Sequence, residues 1–489
     1  MTFTKNISRL ATLALILIGF LCLLYNNFLN QTFWYDEAYT IAMMQHSFSD
    51  IWKITAMDVH PPLYYFMLKL FTEIFGDSLL VMRIFSNLGM IACYLLGIFP
   101  IKRLFGEKVS FTFILLMVLM PINQYLGVEI RMYSWAMFFV LASSVYGYET
   151  FQKKTLICYS KMTFFAICAA YTHYYALIAI FSIFLILIIY LLRRRRTIVR
   201  PLLFGIILLM AYIPWIPIFA SQVYNVHQNF WVEIPTLKDI LLFCYYFFSP
   251  KEPSHPYTIF SIWSMSAALL ITLGLILSAT VLTVRLHLAN KTDKRLKAAS
   301  YFILIFISTI IITFAITFII KPISVPRYAS CMLGSLVLGI SIYGVELYKT
   351  KAKPIIISII AMLAILSIAR LFSERAYYIS QNKEFAEIES YIQSKDMPLK
   401  VIAPLESYPS LAKLSILVPR KEYLLFSPND NTNYLPFEIK KKEQLPSIGQ
   451  FILVQSVNDS TRLSDDYTIK GKLESKEIII SLIEATPQQ

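Results

Sequence analysis

The sequence predicts a polytopic α-helical membrane protein of about eleven transmembrane helices, followed by a small extracytoplasmic α/β or α+β domain. Three observations predict it. Apolar runs of roughly 18 to 22 residues, long enough to cross a bilayer core as helices, recur through the first three quarters of the chain. Charged residues make up only 15% and hydrophobic residues 57%, where soluble proteins average about 25% charged. The basic excess sits in the apolar part. Before Ser373 there are 30 Lys and Arg against 14 Asp and Glu; from Ser373 onward there are 14 against 16. Basic loops between spans fix orientation, so the formal charge of +14 speaks for membrane topology and against nucleic acid as a partner.

The spans follow in order. Lys5 and Arg9 precede an apolar run at 10–29. It is longer than a signal-peptide core and lacks a small-x-small cleavage site, so it is expected to stay as the first span. The loop 30–77 carries two amphipathic pieces, near 48–57 and 61–75, of the kind that lie along a membrane surface. Spans are expected at 80–101, 109–125, 132–150, 162–173, 174–192 and 201–220. A second long loop occupies 221–258, and spans at 259–283, 299–320, 329–347 and 354–371 complete the set. With the N-terminus cytoplasmic, the inner loops hold about 21 Lys and Arg and the longer outer loops about 9, as the positive-inside rule requires. An odd number of spans places 373–489 outside. The expected division is therefore a transmembrane domain, 1–372, and a small domain, 373–489.

The second domain reads differently. Glu384–Ser394 has a helical pattern, and Val401–Pro404, Glu422–Phe426 and Phe451–Gln455 look like strands. Tyr467–Lys472 and Glu477–Leu482 can close a hairpin through Glu474-Ser475. Lys440-Lys441-Lys442 reads as a solvated face. The six cysteines, Cys22, Cys93, Cys158, Cys168, Cys244 and Cys331, show no metal-ligand spacing and read as small core residues.

The stretch Phe33–Tyr65 stands apart. Asp36 and Glu37 follow the first span directly, and His60-Pro61-Pro62 comes two dozen residues later. Acidic pairs at a membrane surface have no packing value. The remaining informative polar residues fall at the same expected level. They are Asp58; Glu129, Arg131 and Tyr133; Tyr171, His173, Tyr174 and Tyr175; Trp231 and Glu233; and Lys321, Arg327 and Tyr328. Transfer of a sugar from a lipid phosphate needs this set. Cations hold the leaving phosphate, a carboxylate takes the acceptor proton, and a site at the interface lets the lipid tail stay in the bilayer. Plainer readings stand beside it. Glu129 and Arg131 also suit a structural ion pair, His173 an interfacial aromatic belt, His60-Pro61-Pro62 a helix start, and Arg83 a snorkelling side chain. Asp36, Glu37, Asp58 and His60 have ligand chemistry, but no spacing demands a metal, and no cofactor is expected.

Trp34-Tyr35-Asp36-Glu37-Ala38 followed by His60-Pro61-Pro62-Leu63-Tyr64-Tyr65 resembles the dolichyl-phosphate-mannose protein mannosyltransferase superfamily. The likeness is closer to its bacterial glycosyltransferase family 39-like branch. Leu79–Arg83, Glu129-x-Arg131-x-Tyr133, Tyr171–Tyr175 and Asn229-Phe230-Trp231 fit as well, over roughly residues 1–345. The resemblance implies a GT-C-type bundle in a bacterial inner membrane, a polyprenyl-phosphate-linked sugar donor and inversion at the anomeric carbon. It implies Asp36 as the catalytic carboxylate with Glu37 beside it, and Arg327 as a phosphate contact. His60, Glu129, Arg131, Tyr133, His173 and Tyr328 complete the expected substrate-binding set. The acceptor is open among lipid, glycan and protein. A transporter or flippase of lipid-linked sugars is the alternative. A non-catalytic scaffold of an envelope assembly is the third reading.

Overall fold

The computed structural model describes residues 2–153, 155–229, 293–395, 399–419, 421–426, 436–442, 444–459, 464 and 466–485, with 234–236, 246–249 and scattered positions between 270 and 289. By its contacts the chain forms two compact units, Met1–Phe28 with Thr55–Tyr377 and Leu29–Ile54 with Tyr378–Gln489. The expected boundary at 372–373 thus falls within a continuous helix, and the loop 30–77 is shared between the units.

Helix α1 is Thr2–Leu29. After an extended link come α2 (Tyr35–Met43) and α3 (Phe48–Met57). Helix α4 (Leu63–Phe75) stops at Gly76, whose φ of 91° side chains rarely adopt. Helix α5 (Leu79–Leu96) is capped by Ser78. It continues through a π-turn at Gly97–Ile101 into α6 (Lys102–Phe105). Pro100 lies in that turn, where its missing N–H and its ring disturb the regular ladder. Gly106 reverses the chain into α7 (Glu107–Leu119), which ends at Met120 because a residue before proline is pushed out of the α region. Helix α8 (Pro121–Leu126) starts on that proline. Then follow α9 (Tyr133–Lys153), α10 (Leu156–Ala170, capped by Thr155) and α11 (Tyr174–Arg193, capped by His173). Helix α12 (Val199–Tyr212) passes through a 3-10 turn containing Pro214 into α13 (Ile216–Asn229). Helix α14 (Lys294–Ile319) is capped by Asp293. A 3-10 stretch, Pro326–Met332, leads into α15 (Leu333–Leu347), and α16 (Lys353–Gln393) follows.

Seven helical stretches among the described residues are long and apolar enough to cross a membrane: Arg9–Leu29, Leu79–Phe105, Tyr174–Arg193, Val199–Tyr224, Lys294–Ile319, Pro326–Leu347 and Lys353–Gln393. The eleven expected spans differ from these for physical reasons. The run 109–125 is cut at Met120-Pro121. The helix over 132–150 has the length, but Ser and Tyr dilute its hydropathy. The one at 162–173 is a 15-residue apolar helix. The span at 259–283 lies largely outside the described residues.

Two glycines set helix spacing in this unit. A Cβ on Gly89 would lie 2.9 Å from the Trp135 main-chain nitrogen, and one on Gly339 would lie 2.9 Å from the Ala299 carbonyl oxygen. Backbone cannot yield as a side-chain tip can, so α5 approaches α9, and α14 approaches α15, only because these residues lack a side chain.

In the second unit, β1 (Val401–Pro404), α17 (Tyr408–Leu417), β2 (Tyr423–Phe426), β3 (Ile439–Lys442), β4 (Gly449–Ser456), β5 (Tyr467–Glu474) and β6 (Ile478–Ala485) make a six-stranded sheet and its helix. The order is β3-β2-β1-β4-β6-β5. Strands β1 to β4 pair in parallel, and β6 runs antiparallel to β4 and β5. Parallel neighbours need a crossover, and α17 supplies it between β1 and β2. The end of α16 covers the sheet through Ile388 and Ile392, which pack with Val401, Leu411, Leu425 and Ile480. Lys440–Lys442 lies on the edge strand β3, where lysines discourage pairing with other chains.

Replacing Gly89 with Val is expected to destabilise the protein by about 1–3 kcal/mol through overpacking at α9. Gly344→Ala, with nothing within 4 Å, is expected to be neutral or slightly stabilising. Melting temperatures in one detergent compare the two; equal loss in both would remove Gly89 as a spacing constraint.

Candidate active site

The transmembrane unit gathers polar side chains from four connections. The short turn after α3 brings Asp58 and His60. His60 Nε2 lies 3.3 Å from Arg131 Nη2, and its Nδ1 lies 3.1 Å from Asp58 Oδ2. A guanidinium can only donate. Nε2 therefore accepts, Nδ1 carries the proton, and that proton is donated to Asp58. Arg131 also donates to the Tyr65 hydroxyl at 3.3 Å, so Asp58, His60, Arg131 and Tyr65 form one chain of contacts. Burial by itself raises the Asp58 carboxyl pKa. The hydrogen bond from His60, the Val59 main-chain N–H and the Arg131 charge outweigh it and hold the group below the ordinary carboxylate value.

Arg131 is 2% exposed, and the backbone leading to it is fixed from α5. Arg83 Nη1 donates to the Val128 carbonyl at 3.0 Å, and Asn87 Nδ2, one turn further on, donates to the Gly127 carbonyl at 2.6 Å. Asn27 on α1 donates in turn to Asn87 Oδ1 at 2.5 Å. Arg83 is thus fully buried and tied to backbone; it does not snorkel. Glu129, also buried, contributes its main-chain carbonyl to the Arg131 N–H at 2.7 Å.

His173 occupies the turn between α10 and α11. Its Nδ1 accepts from the Tyr175 N–H at 3.1 Å, capping α11. The ring proton is therefore on Nε2, and among the described residues Nε2 is buried without a hydrogen-bond partner. Burial first, then the electrostatic influence of the neighbouring His60, Arg131 and Arg327, pushes its pKa well below the usual imidazole value. His173 is consequently neutral at pH 7 and presents an N–H donor. Around it stand the rings of Tyr328 at 5.0 Å, Tyr133 and Tyr175 at 5.9 Å, and His60 at 6.0 Å. The Tyr133 hydroxyl is likewise buried with no hydrogen-bond partner among the described residues. Arg327 lies with its guanidinium carbon 5.7 Å from the centre of the Tyr328 ring, and Tyr175 donates to the Ile323 carbonyl at 2.7 Å, tying α11 to the link before α15.

A cavity of about 350 Å³ adjoins this group. His60, His173, Tyr175, Gln222, Lys321 and Tyr328 line its polar side, and Leu177, Phe219, Ile316 and Ile320 are among its apolar walls. Gln222 holds the wall together by donating to the Thr55 carbonyl at 2.7 Å, and its side-chain oxygen accepts from Tyr174. Gln222 was not expected from the sequence, and Tyr65 was noted there only as part of the His60–Tyr65 motif, not as a partner of Arg131. Both sit inside helices among apolar neighbours, and only the folded helices show what they face.

Asp36 and Glu37 belong to the other unit. Both lie in the first turn of α2, where negative charge suits the helix N-terminus. Glu37 is buried, and its Oε2 accepts from the Trp34 N–H at 3.4 Å, as a capping residue does. Asp36 is half-buried. The helix is held by aromatic packing. Tyr35 contacts Tyr408 and Phe437, with ring centres 6.0 and 6.2 Å away. Tyr39 contacts Phe437 at 6.3 Å, and Phe33 meets Phe385 at 5.6 Å. His46 Nε2 lies 2.9 Å from the Pro436 carbonyl, and Asn382 donates to the Leu29 carbonyl at 2.7 Å. Trp231 and Glu233 fall outside the described residues. Among the described residues, no three His, Cys, Asp or Glu side chains converge as a metal site.

Residues 59–220 match the family model for dolichyl-phosphate-mannose-protein mannosyltransferase. Two crystal structures of ArnT from Cupriavidus metallidurans share the fold over nearly the whole length. The form bound to undecaprenyl phosphate has a TM-score of 0.61 at 9% identity, covering 96% of this chain and 97% of that one. The apo form has a TM-score of 0.59 at 11% identity, covering 99% and 98%.

The chain has the fold of ArnT and, over residues 59–220, resembles the dolichyl-phosphate-mannose-protein mannosyltransferases.

The matched stretch contains His60, Glu129, Arg131, Tyr133 and His173, and it excludes Asp36 and Arg327. No curated protein matches the sequence. At identities this low the likeness to ArnT is one of fold.

The two tyrosines of the cluster are expected to behave oppositely in the ligand-free protein. Tyr65→Phe removes an acceptor from a buried guanidinium and lowers stability by about 1–3 kcal/mol. Tyr133→Phe removes a hydroxyl that has no partner among the described residues, and is expected to leave the melting temperature unchanged or higher. A loss in Tyr133→Phe matching that in Tyr65→Phe would mean that the Tyr133 hydroxyl is already satisfied.

Proposed function

We propose that this protein transfers a sugar from a polyprenyl-phosphate donor to an acceptor at the outer face of a bacterial inner membrane, with inversion at the anomeric carbon. The observation that carries the proposal is the cavity beside His173. His173 lines this largely apolar pocket, the Tyr133 ring lies 5.9 Å from its ring, and among the described residues both His173 Nε2–H and the Tyr133 hydroxyl are buried without a hydrogen-bond partner. Leaving such groups unmade costs free energy, so their retention favours a ligand with oxygen acceptors. A lipid phosphate has those oxygens at one end and an apolar tail at the other. The undecaprenyl phosphate bound by ArnT supports the same donor class.

In the proposed reaction an acceptor hydroxyl attacks the anomeric carbon from the face opposite the phosphate. The bond from that carbon to the phosphate oxygen breaks, and polyprenyl phosphate leaves with an added negative charge. Arg131 and Arg327 offset that charge, with Lys321, His173 and Tyr133 as further donors; Tyr328 supports Arg327 through its ring. His60 and Asp58 orient Arg131, and Glu129 shapes its turn. Asp36 takes the acceptor proton, and its position on a capped and aromatically packed helix supports that role because a base must be held within hydrogen-bond reach. Glu37 supports Asp36 by capping its helix.

The test is transfer from a synthetic polyprenyl-phosphate sugar by the purified protein, with products identified by mass spectrometry. Asp36→Asn is expected to lower the turnover number by about 10²–10⁴ with little change in donor KM. Full activity in Asp36→Asn would sink the base assignment. Movement of donor across vesicles with no transfer product would favour the transporter reading.

A further inference from the structure

A second cavity, of about 300 Å³, lies where α6, α9 and α10 meet, and none of the proposed chemistry uses it. Its lining includes Arg103, Glu149, Lys153, Thr155, Ile157 and Lys161. Glu149 is buried, and both its oxygens are taken: Arg103 Nη2 lies 2.8 Å from one and Lys153 Nζ 3.0 Å from the other. One carboxylate between two cations leaves positive charge uncompensated. Lys161 adds to it. Among the described residues no carboxylate pairs with Lys161, whose ammonium lies 5.2 Å from the centre of the Tyr146 ring.

The helix that carries Lys161 explains why this charge matters. Ile157 is 67% exposed and Phe164 is 60% exposed. With the exposed Lys161 between them, at helical spacings of four and three, they form one outward face. Apart from the ammonium and the Ser160 hydroxyl, that face is apolar. The 15 residues of α10 rise about 22 Å, short of the roughly 30 Å of a bilayer core. A short span draws headgroups inward by thinning the bilayer locally, and a cation inside a lipid-facing stretch is costly unless an anion meets it.

We propose that this cavity binds the phosphate head of an anionic membrane phospholipid. Lys161 and the remaining guanidinium N–H groups of Arg103 donate to the phosphate oxygens, and an acyl chain lies along Ile157 and Phe164. The exposed apolar face running from the cavity favours a lipid over a soluble anion. The cavity lies at the basic ends of its helices, expected on the cytoplasmic side, where basic pockets between spans suit anionic lipid heads. The inference stands independently of the proposed transfer reaction.

Native mass spectrometry of the full-length protein, titrated with phosphatidylglycerol or phosphatidylcholine, tests it. Wild type is expected to retain one phosphatidylglycerol that Lys161→Gln binds roughly fivefold more weakly, the effect of one lysine at an anionic lipid surface. Lys161→Arg is expected to keep it, and phosphatidylcholine to show no difference between variants. Arg103→Gln leaves Lys153 on Glu149 and provides a second variant with the same expected loss should Lys161→Gln fold poorly; unchanged melting in neutral lipid verifies the fold. Equal phosphatidylglycerol retention in folded Lys161→Gln or Arg103→Gln would overturn the proposal. So would equally tight phosphatidylcholine, or displacement by millimolar inorganic phosphate, which would make it a soluble-anion site.

Discussion

A buried guanidinium governs the polar end of the transmembrane unit. Arg131 is 2% exposed, and removing a charge from water costs several kcal/mol unless polar partners surround it. Those partners dictate local structure. His60 must present Nε2, so its Nδ1 proton must face Asp58, and the turn after α3 is fixed. Tyr65 must face inward, which orients α4. The backbone before Arg131 must follow a set path, and Arg83 and Asn87 hold two consecutive carbonyls along it. A site so constrained is preorganised, and preorganised donors are the ones that stabilise developing charge without reorganising.

The second unit does for Asp36 what these hydrogen bonds do for Arg131, by a different means. Tyr35, Tyr39, Tyr408 and Phe437 lock α2 by ring packing, and Glu37 closes the first turn. The small sheet domain thereby acquires a purpose that its sequence did not suggest, because it holds the helix on which the candidate base sits. Its fold suits the task. Strands β1 to β4 make a parallel core with α17 as crossover, and α17 also brings Tyr408 to the α2 packing.

Much of this was legible in the sequence. Short apolar runs and a hairpin signal located five of the six strands, and the amphipathic pieces near 48–57 and 61–75 are α3 and α4. Arg131, Tyr133, His173 and Tyr328 were singled out because charges are rare near spans and these residues fall at one expected level, and in the structure they lie together. Their internal roles were not legible. The ring of His173 caps a helix with one nitrogen and leaves the other without a hydrogen-bond partner among the described residues, which no spacing reveals. Arg83 resembled a snorkelling cation because only the fold shows Val128 within its reach. Seven of the eleven expected spans correspond to long apolar helices among the described residues; the break at Met120-Pro121 and the Ser and Tyr residues of α9 set two others apart. Lys440–Lys442 was read as a solvated face, which it is, but three lysines in a row gave no sign of the edge strand β3 that carries them.

The central claim is that the Arg131 and His173 cluster, with its adjoining cavity, accepts the phosphate end of a long-chain lipid. It is tested most directly by ligand-induced stabilisation of the purified protein, comparing a polyprenyl monophosphate with the corresponding neutral polyprenol. The phosphate is expected to raise the melting temperature, and Arg131→Gln to abolish that rise, while the polyprenol gives little. Equal stabilisation by both lipids, or a phosphate effect that survives in a folded Arg131→Gln variant, would contradict it.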